Sequence, residues 1–264
     1  MSVAVKEESE CVARGQKHES VERVIAAMYA RLEEPLALSS MAKIAFLSRF
    51  HFNRTFRRVT GIPPTRFLYA LRIATARRLL LKTQMHVIDI CYEVGYNSLG
   101  TFTRRFTELV GVSPTRFRLM GRSCKNVINQ LNTVQSSADQ SMPRVVSGRV
   151  DAPDGFRGLI LIGLFDVAIP QGKPKACAVL SEPGVFRIVS PAEGRYYLFA
   201  LALHYCADMA TALDCEPALR AGGQQISIFG DTIQGSTDLR LRPVALTDPP
   251  ILLAIPLLLS ELLT

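Results

Sequence analysis

The sequence predicts a multidomain chain in which an all-α region is followed by a small β-sandwich. Three features of the 264 residues indicate this order. Over residues 20–122, apolar residues recur three and four positions apart, as Val24, Ala27 and Met28 do, which is the spacing of amphipathic helices. Residues 126–154 are rich in Gln, Ser, Asn, Asp and Pro and have little periodicity. After them, short apolar and aromatic runs alternate with turn residues, a pattern typical of β-sandwiches and barrels.

Four segments follow from these changes of pattern. Residues 1–19 are predicted to be a disordered N-terminus, and residues 20–122 a helical domain. Residues 123–154 are predicted to be a linker, and residues 155–264 a β-sandwich domain that binds an effector or mediates association. Its predicted strands are 159–165, 176–180, 185–189, 195–203, 226–229 and 239–241. The apolar tail 249–264 is predicted to be either a last strand or a short docked helix.

The composition excludes several classes of protein. The longest apolar run, Ile251–Leu259, is broken by Pro256 and is shorter than the roughly 20 residues of a membrane span. The charged N-terminus lacks the apolar segment of a signal peptide, so a cytoplasmic location is expected. The six cysteines form no C-x-x-C pair and have no metal-like spacing from the four histidines. We therefore expect free thiols, no metal, no cofactor and no disulfide framework.

The charge of the chain is concentrated in its front half. Residues 1–125 hold 21 Lys and Arg against 10 Asp and Glu, a net charge of +11. Residues 126–264 hold 10 against 13, a net charge of −3. A basic half joined to a mildly acidic half indicates a nucleic-acid-binding module followed by a module of another kind.

The front half contains one supersecondary unit twice, at an offset of 50 residues. Matches of this density, several of them at Gly, Pro and Phe, are the signature of an internal repeat. The nine matching pairs are Ser48/Ser98, Phe52/Phe102, Arg54/Arg104, Phe56/Phe106, Gly61/Gly111, Pro64/Pro114, Thr65/Thr115, Arg66/Arg116 and Phe67/Phe117.

Each copy is predicted to be a helix, a tight turn and a second helix, the order of a helix-turn-helix. The first copy has helices at 39–46 and 49–59, with Ser48 as N-cap and Gly61 as the end. Pro63 and Pro64 are expected to prevent the helix from restarting. The second copy has helices at 87–94 and 99–109. One helix over 67–82 is predicted to join the copies and to fix their separation.

The exposed faces of the two second helices carry side chains that can bond to base edges. Arg and Asn pair with guanine and adenine, Thr offers a hydroxyl and a methyl, and Gly lets the backbone approach. The predicted base contacts with this chemistry are Asn53, Arg54, Gly100, Thr103 and Arg104. The predicted phosphate contacts are Ser48, Arg49, His51, Arg57, Arg58, Ser98 and Arg105. His51 is interpreted as a phosphate contact or a surface residue, and not as a metal ligand or a catalytic base.

The motifs of residues 20–120 resemble the DNA-binding domain of the AraC/XylS family of bacterial transcription regulators. The stretch 71–80 (LRIATARRLL) resembles the linker helix of that domain. The stretches 90–96 (ICYEVGY), 102–106 (FTRRF) and 111–118 (GVSPTRFR) resemble its C-terminal signature.

The resemblance implies a seven-helix domain with two recognition helices, which binds promoter DNA in a sequence-specific way. It implies RNA polymerase as a further partner and leaves the small-molecule effector unknown. It places Asn53, Arg54, Gly100, Thr103 and Arg104 at base-reading positions and adds Thr101 to them. The chain departs from the family at Phe50, where a base-contacting residue is common. It also departs in architecture, because the family commonly carries its effector domain before the DNA-binding part.

The back half gives weaker signals. The order of a Gly-x-Phe strand, a Pro-x-x-Gly turn and a Tyr-rich strand at 184–198 resembles a prealbumin-like sandwich. His204, Cys206 and Asp208 alternate near a strand end, but no oxyanion or nucleophile motif accompanies them, so no catalytic residue is expected. We therefore predict a transcription regulator and not an enzyme. The alternatives are an enzymatic or ligand-binding domain that uses the front half as a DNA tether, and an architectural DNA-binding protein.

Overall fold

The computed structural model describes residues 2–123, 145–189, 193–204, 219–230 and 232–253. Within the first range, side chains are described from residue 15 to residue 121. The front of the chain is helical, with α1 Ser2–Ala30, α2 Leu38–Ile44, α3 Arg49–Thr60, α4 Pro64–Lys82, α5 Val87–Glu93, α6 Leu99–Val110 and α7 Pro114–Ser123. The back is formed by strands, and the two predicted classes of structure occur in the predicted order.

Helix α1 differs from the sequence prediction. The predicted disorder of residues 1–19 contrasts with a helix that runs from Ser2 to Ala30. Its last turns are anchored, because Val24, Ile25 and Met28 are fully buried. Propagating an existing helix costs far less than nucleating one, and the preceding segment is rich in Ala, Glu, Lys and Val. The anchored turns therefore extend the helix toward the N-terminus.

Helix α4 begins three residues earlier than predicted. The expectation that Pro63 and Pro64 prevent a restart was wrong, because Pro64 is itself the first residue of α4. A proline at the first helical position loses no hydrogen bond, since the first amides of a helix have no intrahelical acceptor. Pro63 in an extended conformation ends the loop, and Pro64 starts the helix.

The helical region contains two apolar cores, one for each copy of the repeat. In the first, Phe52 packs edge-to-face on Phe56 at 5.5 Å between ring centroids, and Phe56 packs on Phe67 at 5.4 Å. In the second, Phe102 lies 5.8 Å from Phe106, which lies 5.7 Å from Phe117. The three phenylalanines of each copy match at the 50-residue offset, so the repeat in sequence is a repeat in packing.

The turns of the two copies differ by one residue. Phe46 follows α2 with a φ of 55°, and Gly95 follows α5 with a φ of 80°. The next amide closes the turn in both copies, from Leu47 to the carbonyl of Ala42 and from Tyr96 to that of Cys91, at 3.0 Å each. Phe46 therefore adopts the left-handed conformation that Gly95 adopts in the second copy. The residue is 81% exposed.

The β region forms two sheets. The strands are β1 Val145–Asp151, β2 Gly158–Phe165, β3 Ala176–Leu180, β4 Gly184–Val189, β5 Gly194–His204, β6 Leu219–Phe229, β7 Thr232–Gln234, β8 Leu239–Arg240 and β9 Arg242–Pro243. The smaller sheet has the order β4-β1-β8, and the larger has the order β3-β2-β5-β6-β7, with β9 beside β6. Only the β1–β8 pair is parallel among these described pairings.

One apolar core joins the two sheets. Val146 and Ile188 of the smaller sheet are buried in the same cluster as Ile160, Leu198 and Ile226 of the larger. Strand β1 begins at Val145, inside the predicted linker 123–154, and so the β region starts earlier than residue 155. The described part of the predicted tail element is extended chain, in which Leu252 bridges to Gln171. The two-sheet arrangement is the predicted class, while the prealbumin-like topology stays a prediction.

A buried ion cluster holds the end of the β region in place. The Asp248 carboxylate accepts hydrogen bonds from Arg242 at 2.7 and 2.8 Å and from the amide of Ala245 at 2.8 Å. Arg220, which is 4% exposed, lies 3.9 Å from the same carboxylate. Burial would raise the pKa of Asp248, but these hydrogen bonds and the two cations bring it below its ordinary value.

We expect Asp248→Asn to lower the free energy of unfolding at pH 7 by about 2 kcal/mol, because charge-assisted hydrogen bonds are lost beside a buried Arg220. Since the pKa of Asp248 is lower in the folded state, its stabilisation is present at neutral pH. It is lost as the pH falls below about 4. Urea unfolding at pH 7 and pH 3 measures both effects, and the variant should lose less stability on acidification than the wild type. The control is Asp151→Asn, at an exposed ion pair, and an equal effect there would contradict the prediction.

Three further observations concern the described residues alone. None of their helices combines the length and the apolar character needed to cross a membrane. Cys91 is a buried free thiol, and its burial raises its pKa. No three His, Cys, Asp or Glu residues in the described ranges come together as metal ligands could.

Candidate nucleic-acid interface

Helices α3 and α6 are the second helices of the two repeat units, and both are delimited by the predicted caps. The Ser48 hydroxyl accepts from the amide of His51 at 3.4 Å, and the Ser98 hydroxyl from that of Thr101 at 3.5 Å. Gly61 and Gly111 end the helices in the left-handed conformation. The first residues of each helix are exposed, and the N-terminus of a helix favours an anion such as a phosphate.

The exposed face of α3 carries the first group of predicted contacts. Asn53 and Arg54 are exposed, while Phe52 and Phe56 on the opposite face are fully buried. Phe50 is 80% exposed, which is unusual for a phenylalanine at the start of a helix. The predicted phosphate contacts Ser48, Arg49, Arg57 and Arg58 are exposed as well, and His51 is half-buried. All of these residues therefore lie on or beside one solvent-facing surface.

The exposed face of α6 carries the second group. Gly100, Thr101 and Arg104 are exposed, and Thr103 is half-buried. Leu99, Gly100, Thr103, Arg104, Thr107 and Glu108 border a shallow open groove along this face. Arg104 lies 3.9 Å from Glu108 in an exposed pair, which contributes little and leaves the guanidinium free to move.

The predicted phosphate contact Arg105 has an intramolecular partner. Its guanidinium stacks over the ring of Tyr69 at 4.1 Å from the centroid, which connects α6 to α4. Ser98, the other predicted phosphate contact of this copy, is exposed at the N-cap. Arg105 thus helps to orient α6 on the joining helix, whatever it contacts outside.

Arg72 of α4 is a contact between the two copies that sequence reasoning missed. It is 7% exposed, and its guanidinium donates to the carbonyls of Leu32 at 2.9 Å, Glu34 at 2.7 Å and Gly95 at 2.9 Å. Leu32 and Glu34 follow α1 in the first copy, whereas Gly95 is the turn of the second. Burial lowers the pKa of Arg72. The available signal was a cation flanked by the apolar pair Leu71 and Ile73, both of which are buried.

Gly95 allows the two copies to approach closely. A Cβ at this position would lie 2.7 Å from the carbonyl oxygen of Leu32 and 2.8 Å from that of Glu33. It would also lie 2.8 Å from Nη2 of Arg72. The turn of the second copy therefore packs directly on the loop after α1, and only glycine fits.

The β region contacts both helical cores. Ile169, in the loop after β2, is 1% exposed and belongs to the core of the first copy. Leu252, near the end of the described chain, is fully buried in the core of the second copy. Burying each side chain stabilises the folded chain by roughly 2 kcal/mol. The predicted arrangement of two domains joined by a linker is thus supplemented by direct packing between them.

Hydrogen bonds to backbone carbonyls accompany these two contacts. Arg77 of α4 donates to the carbonyl of Ile251 at 2.5 Å and to that of Leu253 at 2.7 Å. The amide of Gly172 donates to the carbonyl of Leu109 in α6 at 2.7 Å. Long-range contacts of this kind, 174 and 176 residues apart for Arg77, leave no local sequence signal.

The alternating trio of the back half is only partly described. His204 is the last residue of β5, whereas Cys206 and Asp208 lie outside the described residues.

Helices α3 and α6 are capped and have exposed polar faces, and each follows a shorter helix and a tight turn. This order of elements defines a helix-turn-helix DNA-binding protein. The comparisons agree, because residues 41–120 match the family model described as a helix-turn-helix domain. This part of the chain is an AraC-type helix-turn-helix DNA-binding domain, the type found in transcription regulators.

Individual proteins match over the same part of the chain. The HTH-type transcriptional regulator GbdR of Pseudomonas aeruginosa is 31% identical over 100 residues, which are 38% of this chain and 27% of GbdR. AdaA of Bacillus subtilis, a bifunctional transcriptional activator and DNA repair enzyme, is 33% identical over 89 residues, 34% of this chain and 42% of AdaA. The match thus spans about a quarter of GbdR and less than half of AdaA.

A solved structure matches as well. The crystal structure of the DNA-binding domain of AdpA in complex with a target DNA aligns at 29% identity and a TM-score of 0.38. The alignment covers 39% of this chain and 93% of that domain.

Proposed function

We propose that the chain is a sequence-specific transcription regulator that places α3 and α6 in two successive major grooves of a promoter. The observation that carries this proposal is the duplication of a capped helix with base-reading chemistry on its exposed face. A second support is the joining helix α4, whose 19 residues span about 28 Å. Successive major grooves on one side of a duplex are about 34 Å apart, a distance comparable with the length of α4.

Helix α3 supplies the contacts in the first groove. Asn53 offers an amide that bonds adenine N6 and N7, and Arg54 a guanidinium that bonds guanine O6 and N7. Phe50, exposed at the start of the helix, can contact only an apolar group, which in the major groove is the methyl of thymine. The first half of the operator is therefore expected to combine thymine, adenine and guanine.

Helix α6 supplies the contacts in the second groove. Arg104 is the strong hydrogen-bonding residue of this face, and Thr103 adds a hydroxyl and a methyl. Thr101 and Gly100 lie in the first turn, where Gly100 lets the backbone come close to the bases. The second half of the operator is read by fewer hydrogen bonds than the first, so shape and phosphate contacts contribute more there.

Phosphate contacts position both helices. The predicted phosphate contacts surround the reading faces. They are Ser48 and Ser98 with the adjacent backbone amides, His51, which is half-buried, and Arg49, Arg57, Arg58 and Arg105. These contacts make the affinity fall with salt on every sequence. RNA polymerase is the expected protein partner, and the β region is expected to bind an effector or mediate association. No catalytic role, metal or cofactor is part of this proposal.

We expect Arg54→Ala and Arg104→Ala each to weaken binding to the selected operator by about 1–3 kcal/mol and to relax the preference at one base pair. Selection from a random DNA pool, followed by footprinting at two salt concentrations, identifies the operator. Titration of each variant then measures the loss.

The matched control is Arg187→Ala, which removes the same charge from an exposed position on β4. It should leave operator binding unchanged. If the wild type enriches no sequence, or if all three variants bind every DNA equally weakly, the chain is a non-specific tether and the proposal is wrong.

A further inference from the structure

The β region holds both DNA-reading units at once, through two short segments. We call residues 168–172, in the loop after β2, and residues 251–253 the interdomain clamp. Ile169 from one segment is buried in the core of the first copy, among residues of α1 to α4. Leu252 from the other is buried in the core of the second copy, among residues of α4 to α7. Each helix-turn-helix unit is therefore completed by one side chain of the β region.

The two segments of the clamp are bonded to each other. The amide of Leu252 donates to the carbonyl of Pro170 at 3.0 Å, and Gln171 forms a parallel bridge with Leu252. A change in the distance between the two helix-turn-helix cores would have to break these bonds or withdraw Ile169 or Leu252 from its core. The clamp is thus a second connection between the copies, in parallel with helix α4.

The clamp is also attached to the elements that set the position of the second recognition helix. The guanidinium of Arg77 in α4 donates hydrogen bonds to the carbonyls on both sides of Leu252. The amide of Gly172 donates to the carbonyl of Leu109 in the last turn of α6. The predicted base contacts stay accessible, since Asn53, Arg54 and Arg104 are exposed with the clamp in place. The clamp therefore braces the recognition helices without covering them.

We propose that Ile169 and Leu252 are positioning residues that fix the spacing of the two recognition helices, so that the β region sets which operator spacing the chain accepts. This inference rests on the proposed function, in which both helices contact one DNA. Shifting one half of the operator by one base pair moves its groove by about 3.4 Å and rotates it around the duplex. A braced pair of helices cannot follow this shift, whereas a pair joined by α4 alone has more freedom.

The test uses the full chain and the operator selected by the wild type, with one base pair inserted or removed between the two footprinted halves. The wild type should lose about tenfold or more in affinity for the altered spacing, since one helix leaves its contacts. The double variant Ile169→Ala and Leu252→Ala should lose less than about threefold, because its spacing preference is relaxed. Binding to each isolated half-operator should stay the same, which a merely destabilised protein would not show.

The matched controls are Val185→Ala and Leu246→Ala, at positions that are 65% and 45% exposed in the same region. Both should keep the wild-type spacing preference. If the double variant does not fold, as judged by circular dichroism, Arg77→Gln provides the same readout by removing the bonds to residues 251 and 253. An unchanged spacing preference in the folded variant overturns the inference. A wild type that protects no pair of half-sites overturns the proposed function instead.

Discussion

Arg72→Ala is expected to lower the free energy of unfolding of the full chain by about 3–5 kcal/mol. The substitution leaves the carbonyls of Leu32, Glu34 and Gly95 without their donor. The bond to Leu32 is buried, where an unpaired acceptor costs about 1–3 kcal/mol, and the other two are partly buried and cost less each. It also empties the space of a long side chain between the two copies. Because domains of this size are stable by only about 5–15 kcal/mol, the loss is a large part of the total.

Urea unfolding followed by circular dichroism measures this effect. The matched control is Arg78→Ala on the same helix, where the side chain is exposed and the expected change is within about 0.5 kcal/mol. A loss below about 1 kcal/mol for Arg72→Ala would show that the three hydrogen bonds are replaced by water, and would contradict a buried contact between the copies.

Gly95→Ala is expected to cost about 3 kcal/mol, and Gly61→Ala about 1 kcal/mol. The two glycines have nearly the same backbone conformation, with φ of 80° and 81°. A Cβ at Gly61 meets nothing within 4 Å, whereas one at Gly95 lies 2.7–2.8 Å from three atoms, two of them backbone oxygens. The pair of variants therefore separates the cost of the conformation from the cost of the close approach.

The same urea experiment gives both values, and their difference is the quantity of interest. If both variants lost the same free energy of unfolding, the second copy would move away from the loop after α1 at no cost in free energy. In that case Arg72 and Gly95 would not fix the arrangement of the two copies, and the difference predicted here would be absent.

The sequence allowed the recognition helices to be predicted within one residue, because local signals mark both ends. Serine caps, the phenylalanines four residues apart and the terminal glycines all act within a single helix. The predicted base contacts on these helices are exposed for the same reason, since a helix with a buried phenylalanine face turns its other residues outward. Several of the strands are marked equally well, and 176–180 coincides with β3.

Other features depend on contacts that are distant along the chain. The neighbours of Arg72 in the sequence do not indicate its burial, because its carbonyl partners lie 23 to 40 residues away. Strand β6 begins seven residues before the predicted one, since Gly222 and Gly223 interrupt its apolar pattern. Ile169 lies in a loop without periodicity, and the apolar composition around Leu252 does not indicate which core it joins. The burial of such residues is decided by tertiary packing, which the pattern of neighbouring residues in the sequence does not reveal.

The participation of Ile169 and Leu252 in the helical cores bears on how far this DNA-binding module can be transplanted. The matched family segment, residues 41–120, contains neither residue, and it also omits the buried face of α1. The stretch recognised by its similarity to other proteins is therefore smaller than the stretch whose side chains form the two helical cores. A chimaera that contains only residues 41–120 of this chain would expose two apolar cavities. The β region therefore cannot be replaced independently of the helical region.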